Sequence, residues 1–317
     1  VTASVAAASA ERASEPSRAC YPDETGYVDR DGVRVFWERY GKGEPAVLFV
    51  PPWSVVHSRC WKGQLPYFAR HGCALAFDPR GNGRSDRPIE PSAYDETAFA
   101  ADALAVLDAA GIERAALVTL SRGAQRSLML AAHHPERVTA ACFIAPSLPL
   151  SSKSGPRTAA EVAFNARRRT HHGWEKFNRH YWRSNQREFA EFFVAQVFPE
   201  RHSSKQIEDS VGWALEIGPD ALIASELATR IATREEAEAL CQRLRCPVLV
   251  IVGSDDRVVN PACGRALAES TGGELVVIDG AGHSPTARFP VAVNIALGAF
   301  LASAVAGDAG AMRTGLR

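Results

Sequence analysis

Apolar residues recur along this chain in short unbroken blocks, such as Ala46-Val47-Leu48-Phe49-Val50 and Val248-Leu249-Val250-Ile251-Val252, separated by longer polar-apolar mixtures. A block without alternation marks a strand covered on both faces, and a 3.6-residue period marks a helix with one buried stripe. Strands are therefore predicted over 46–50, 73–78, 115–120, 138–145, 247–252 and 274–278. A hairpin turning at Asp31-Gly32 is predicted over 27–40, and helices near 61–70, over 97–110 and over 122–134. Strand and helix in alternation give an α/β protein with a mostly parallel central sheet flanked by helices. Right-handed crossovers then bring the strand ends to one edge of that sheet.

From 147 to 244 the alternation stops, and helix-like, aromatic-rich sequence takes over. The expected organisation is a core over 21–146 and 245–306, an inserted helical cap over 147–244, and flexible tails over 1–20 and 307–317. The cap carries Trp174, Phe177, Tyr181, Trp182, Phe189, Phe192, Phe193, Phe198 and Trp213. Many of these stand at helical spacing, which for a single residue means ordinary core packing; as a set they predict an apolar substrate pocket beneath the cap. Trp174, Tyr181, Trp182 and Trp213 are the expected substrate contacts from this segment.

With 317 residues, 46% of them hydrophobic, the chain can bury a large core and fits one domain with an insertion. Its formal net charge of zero argues against a broad nucleic-acid surface. No apolar run reaches the roughly 20 residues of a spanning helix, so no membrane partner is expected. The Ala- and Ser-rich start lacks the basic segment of a secretory signal. Seven cysteines, an odd number without metal-ligand spacing, read as reduced thiols of a cytoplasmic protein. No metal site is expected at His171-His172, which lacks ligand spacing, nor at His133-His134, where Pro135 explains the helix end. Arg167-Arg168-Arg169 point in different directions around a helix and read as a solvated face.

The chemistry is concentrated at the strand ends. Ala115-Ala116-Leu117-Val118-Thr119-Leu120 runs into Ser121-Arg122-Gly123-Ala124, a strand turning at once into a helix, which lifts Ser121 above the sheet edge. A serine hydroxyl needs a base to become a nucleophile, and the base needs a group to orient it. Two further strands deliver Gly253-Ser254-Asp255-Asp256 and Asp279-Gly280-Ala281-Gly282-His283-Ser284-Pro285 to the same edge. The order along the chain is serine, aspartate, histidine.

On these segments, and on Asp78-Pro79-Arg80-Gly81-Asn82-Gly83-Arg84-Ser85-Asp86, the chain resembles the capped serine hydrolases of the α/β-hydrolase superfamily over about residues 26 to 301. The resemblance implies the α/β-hydrolase fold, Ser121 as nucleophile, His283 as base and Asp256 as acid, with Asp255 as the fallback. It departs from the family at two places. Thr119 stands at the first glycine of G-x-S-x-G, and Pro51-Pro52-Trp53-Ser54 stands where His-Gly is usual. Proline has no N–H to offer an oxyanion, so the donors implied are the backbone N–H groups of Trp53 and Arg122. Trp53 and the nearby His57 are also expected at the substrate. The implied activity is hydrolysis of an ester-like bond (carboxylic ester, lactone or thioester) of a small apolar molecule through an acyl-enzyme, without cofactor or metal. An acyltransferase, a cyclising or carbon–carbon bond-cleaving enzyme, and a low-turnover binding protein remain alternatives. Oligomeric state is left open by the sequence.

Overall fold

The computed structural model describes residues 20–151 and 155–314, the last ten of these as backbone only. Eight strands form one sheet: β1 (Glu24–Arg30), β2 (Val33–Gly41), β3 (Ala46–Val50), β4 (Cys73–Phe77), β5 (Ala115–Leu120), β6 (Val138–Ile144), β7 (Val248–Gly253) and β8 (Glu274–Ile278). Their spatial order is β1-β2-β4-β3-β5-β6-β7-β8. β2 pairs antiparallel with β1 and β4, and the rest of the sheet is parallel. β3, β4, β5 and β7 are buried at every position, which is why their sequences show no alternation. Asp31 and Gly32 both take positive φ at the β1–β2 turn, the geometry that a tight hairpin requires.

The strand order reverses at β3, which lies between β4 and β5. Val50 pairs with Thr119, so the loops leaving β3 and β5 emerge side by side. That is the crevice where open α/β sheets bind ligands. β6, β7 and β8 continue beyond β5, and β7 and β8 run in register from Leu249↔Glu274 to Gly253↔Ile278. Helices cover both faces. Glu96–Ala109 sends Phe99, Ala103, Val106 and Leu107 inward, and Pro290–Thr314 buries Val293, Leu297, Phe300 and Leu301 against the sheet.

The described elements between β6 and β7 are helices, and the two ends of this segment pack with the core. Leu148 and Leu150 at its start, and Ala237, Leu240 and Cys241 of helix Arg234–Cys241 at its end, pack with Leu128, Ala132 and Phe143 of the core. The apolar stripe of that helix faces the sheet rather than the pocket. The remaining helices, Pro156–Val162, Arg179–Val197, Ser204–Ala214 and Pro219–Leu227, enclose a separate aromatic cluster around Trp182. Asn178 caps the long helix with its side-chain oxygen and donates its amide to the carbonyls of Ala163, Phe164 and Ala166.

Helix Pro290–Thr314 runs through Gly307 and Gly310, positions expected in the C-terminal tail. Each glycine costs a helix only about 1 kcal/mol relative to alanine, and the good helix formers Ala306, Ala309 and Ala311 stand beside them. Residues 1–19 and 315–317, which hold the other expected tail positions, lie outside the described residues. No described helix is long and apolar enough to cross a membrane.

Candidate active site

Ser121 follows β5 directly and has φ of +57°, a left-handed conformation that costs a non-glycine residue about 1–2 kcal/mol. Hydrogen bonds hold it there. Its N–H donates to the Ile144 carbonyl at 2.9 Å, and its own carbonyl accepts from Ala124 at 3.1 Å and Ser147 at 3.0 Å. The hydroxyl thereby faces His283, with Oγ 2.9 Å from Nε2.

His283 stands in the loop after β8, where its N–H donates to the Val197 carbonyl. Its Nδ1 lies 2.7 Å from Asp256 Oδ2. The other oxygen, Oδ1, accepts the N–H groups of Val258 and Val259 at 2.8 and 2.9 Å. A carboxylate so placed only accepts, so Nδ1 carries the hydrogen and Nε2 is the acceptor facing Ser121. Asp255 does not share this position: it is exposed, and its carboxylate accepts from Ser254 Oγ. The loops after β7 and β8 touch so closely that a Cβ on Gly253 would stand 2.2 Å from the Ala281 carbonyl oxygen.

The opposite wall is Pro51-Pro52-Trp53-Ser54. Lacking proline N–H groups, this segment is fixed by its acceptors: Pro52 O receives Arg126 Nη1 at 3.2 Å, and Ser54 O receives Asn82 Nδ2 at 2.8 Å. Arg126 is buried and bound to Glu96, and Asn82 also donates to the Trp213 carbonyl. Asp78 accepts the N–H groups of Ser58 and Arg84. Burial raises the pKa of this carboxyl, but neighbouring His57 and Arg59 and those N–H donors outweigh it and hold the group below the usual range. The segment 78–86 thus braces the wall and contributes nothing to the cavity lining. The N–H groups of Trp53 and Arg122 have no backbone acceptor among the described residues.

A cavity of about 500 Å³ opens over Ser121 and His283, with a mostly apolar lining that includes Trp53, Arg122, Phe193, Phe198 and Trp213. Four of the expected contacts are not part of it. His57 is buried behind the wall, 3.7 Å from Asp78 and 3.4 Å from Glu216, with its ring tilted against Trp213. Trp182 is fully buried in the aromatic cluster, 4.5 Å from Phe189 between centroids, with Nε1 donating to the Lys176 carbonyl. Tyr181 turns outward on the same helix and donates to Glu188. Trp174 lines a second, more polar cavity of about 820 Å³, which Asp256 and Arg122 also line. At the polar end of the main cavity Lys62 and Lys205 both pair with Asp209, a cluster no local signal announced. Among the described residues no group of three or more His, Cys, Asp or Glu side chains could hold a metal ion.

Residues 45–286 match the family described as alpha/beta hydrolase fold. The chain is 26% identical over 275 residues to 3-oxoadipate enol-lactonase 2 of Acinetobacter baylyi, covering 85% of this chain and 93% of that one. It is 24% identical over 288 residues to the bifunctional esterase/perhydrolase DCH of Acinetobacter calcoaceticus, covering 88% and 100%. Among solved structures, the enol-lactonase from Burkholderia xenovorans LB400 superimposes with a TM-score of 0.72 at 19% identity, over 87% of this chain and all of that one.

Proposed function

The chain belongs to the alpha/beta hydrolase fold family, and from that membership we propose that it is a serine hydrolase that cleaves a carboxylic ester or lactone of a small, largely apolar substrate. The observation that carries the reading is the unbroken line Asp256 Oδ2, His283 Nδ1, His283 Nε2, Ser121 Oγ, with steps of 2.7 and 2.9 Å, ending in an apolar cavity. A cavity of this volume suits a small molecule. The names of the enol-lactonase and esterase relatives support the ester or lactone class.

In this mechanism Ser121 Oγ adds to the substrate carbonyl carbon while its proton passes to His283 Nε2. Asp256 stabilises the imidazolium so formed and keeps the ring in register. The carbonyl oxygen becomes an oxyanion and accepts the N–H groups of Trp53 and Arg122, each such donor being worth about 3–4 kcal/mol to the transition state. Collapse breaks the carbon–oxygen bond, and the leaving alcohol oxygen takes the proton from His283. Water then adds to the acyl-enzyme, giving its proton to Nε2, and the acid departs as Oγ regains a hydrogen.

The test is reaction with a fluorophosphonate followed by peptide mapping, alongside hydrolysis of p-nitrophenyl esters of increasing acyl length. Labelling of one serine, Ser121, together with ester turnover is the expected result. A folded protein that is neither labelled nor active on any ester would overturn the reading.

A further inference from the structure

Both residues whose N–H groups would hold the oxyanion are gripped, through their side chains, by one turn of one cap helix. Trp53 Nε1 donates to Ser225 Oγ at 2.9 Å, and that hydroxyl donates onward to the Leu222 carbonyl at 2.8 Å. Arg122 donates through Nη2 to Glu226 Oε2 at 2.6 Å and through Nη1 to the Ser225 carbonyl at 3.2 Å. The second oxygen of Glu226 accepts from Arg230 at 2.9 Å, so the carboxylate is held on both sides. Between the two grips the Arg122 guanidinium lies over the Trp53 ring, 4.8 Å from its centroid. Arg122, Glu226, Ser225 and Trp53 are all buried.

The end of the same helix is tied to the core beside the double proline. Thr229 donates its N–H to Asp95 Oδ1 and accepts from the N–H of Glu96. Glu96 in turn binds Arg126, the residue that donates to the Pro52 carbonyl. Trp53 is therefore restrained from the core side through the carbonyl before it, and from the cap side through its indole. A segment with two prolines lacks two main-chain donors of its own. Its Trp53 N–H takes its direction from these outside contacts.

We infer that Ser225 and Glu226 are positioning residues for the reaction: helix Pro219–Leu227 sets the direction of the Trp53 and Arg122 N–H groups and so couples docking of the cap to the chemical step. The inference rests on the serine hydrolase reading above. Neither side chain lines the cavity over Ser121, so neither has a direct route to substrate affinity. Both act on donors that matter more in the transition state than in the ground state.

The experiment compares Ser225→Ala and Glu226→Gln with the unmodified protein. It reads kcat and KM for p-nitrophenyl butyrate, and the inhibition constant of an alkyl trifluoromethyl ketone, whose carbonyl adds Ser121 to form a tetrahedral oxyanion. The expected result is a fall in kcat of about 10- to 100-fold for each variant, with KM unchanged. The ketone should weaken by the same factor, because it reports on the oxyanion rather than the acyl group. Folded variants with unaltered kcat, or with changes in KM alone while ketone affinity holds, would overturn the inference. Should Glu226→Gln fail to fold, Ser225→Ala, which keeps every charge in place, decides the matter alone. Unmodified protein that shows no turnover and no Ser121 labelling would mark failure of the hydrolase reading itself, and the inference would fall with it.

Discussion

A β-carbon built on Gly123 would stand 2.2 Å from Oγ1 of Thr119 and 2.8 Å from the Pro51 carbonyl oxygen. The threonine that replaces the first glycine of the elbow pattern thus makes the second one obligatory. Gly123→Ala must push the start of helix Gly123–His133 away from β3 and carry Ser121 with it. A displacement near 1 Å at a reacting group costs about 10²-fold in rate, which is the loss of kcat expected for Gly123→Ala on p-nitrophenyl butyrate. Adding Thr119→Gly removes the nearer obstruction and leaves the carbonyl, so activity should return only in part. Full activity in Gly123→Ala would show that the elbow has slack the geometry denies.

Thr119 itself offers a stability prediction. It is fully buried, and its hydroxyl has no hydrogen-bond partner among the described residues. A buried unsatisfied hydroxyl costs about 1–3 kcal/mol, and valine has nearly the same shape without that cost. Thr119→Val should therefore raise stability by about 1 kcal/mol, seen as a higher urea midpoint at unchanged slope. A lower midpoint would mean that the hydroxyl is satisfied.

What the sequence disclosed and what it hid follow from distance along the chain. Ser121, Asp256 and His283 each stand just past an unbroken apolar block, so strand prediction alone put them at one edge. Asp256 was separable from Asp255 only through the resemblance, and the geometry places Asp256 beside His283. Trp182 and Trp213 carried the same aromatic signal, yet one is cluster core and the other cavity wall, because helical spacing says which residues share a face and not what that face meets. Ser225, Glu226, Arg126 and Glu96 gave no signal, since their partners lie far away in sequence and on different elements.

The three residues in line should behave as a unit. Ser121→Ala or His283→Ala is expected to lower kcat by about 10⁶ while leaving the fold intact, and the double variant should be little worse than either. Asp256→Asn should cost about 10⁴, through loss of the Nδ1–H tautomer. Asp255→Asn, on an exposed carboxylate, should leave kcat nearly unchanged. Steady-state kinetics on all five variants, with circular dichroism to verify folding, separates these outcomes; a severe Asp255→Asn and a mild Asp256→Asn would reassign the acid.

Acid should loosen the contact between helix Pro219–Leu227 and Arg122. Burial raises the pKa of Glu226, but Arg122 and Arg230 outweigh it and hold the carboxyl below its ordinary value of 4.5. In the unfolded chain the group returns to that ordinary value. Between the two pKa values the unfolded state binds more protons, so stability rises with pH there; the contribution is complete above about pH 4.5 and lost as pH falls through the folded pKa. Glu226→Gln should therefore melt lower at neutral pH and show a shallower decline of Tm below about pH 4.5. Parallel acid limbs for the two proteins would show that other carboxylates carry the effect.

Cys60 shares the cavity with Ser121 and is the one thiol in its lining among the described residues. Burial, with the Asp78 carboxylate near it, pushes its thiol well above the ordinary 9.0. The thiolate is the reactive form, and raising the pKa shrinks the thiolate fraction at any pH below it. At about pH 8, iodoacetamide should leave Cys60 unmodified and esterase activity intact, while a fluorophosphonate abolishes that activity. The unfolded chain, where burial is gone, should take up the alkylating agent at Cys60 under the same conditions. Peptide mapping of the folded protein before and after denaturation reads both results. Rapid alkylation of Cys60 in the folded state, with loss of turnover, would instead make the thiol a participant at the site.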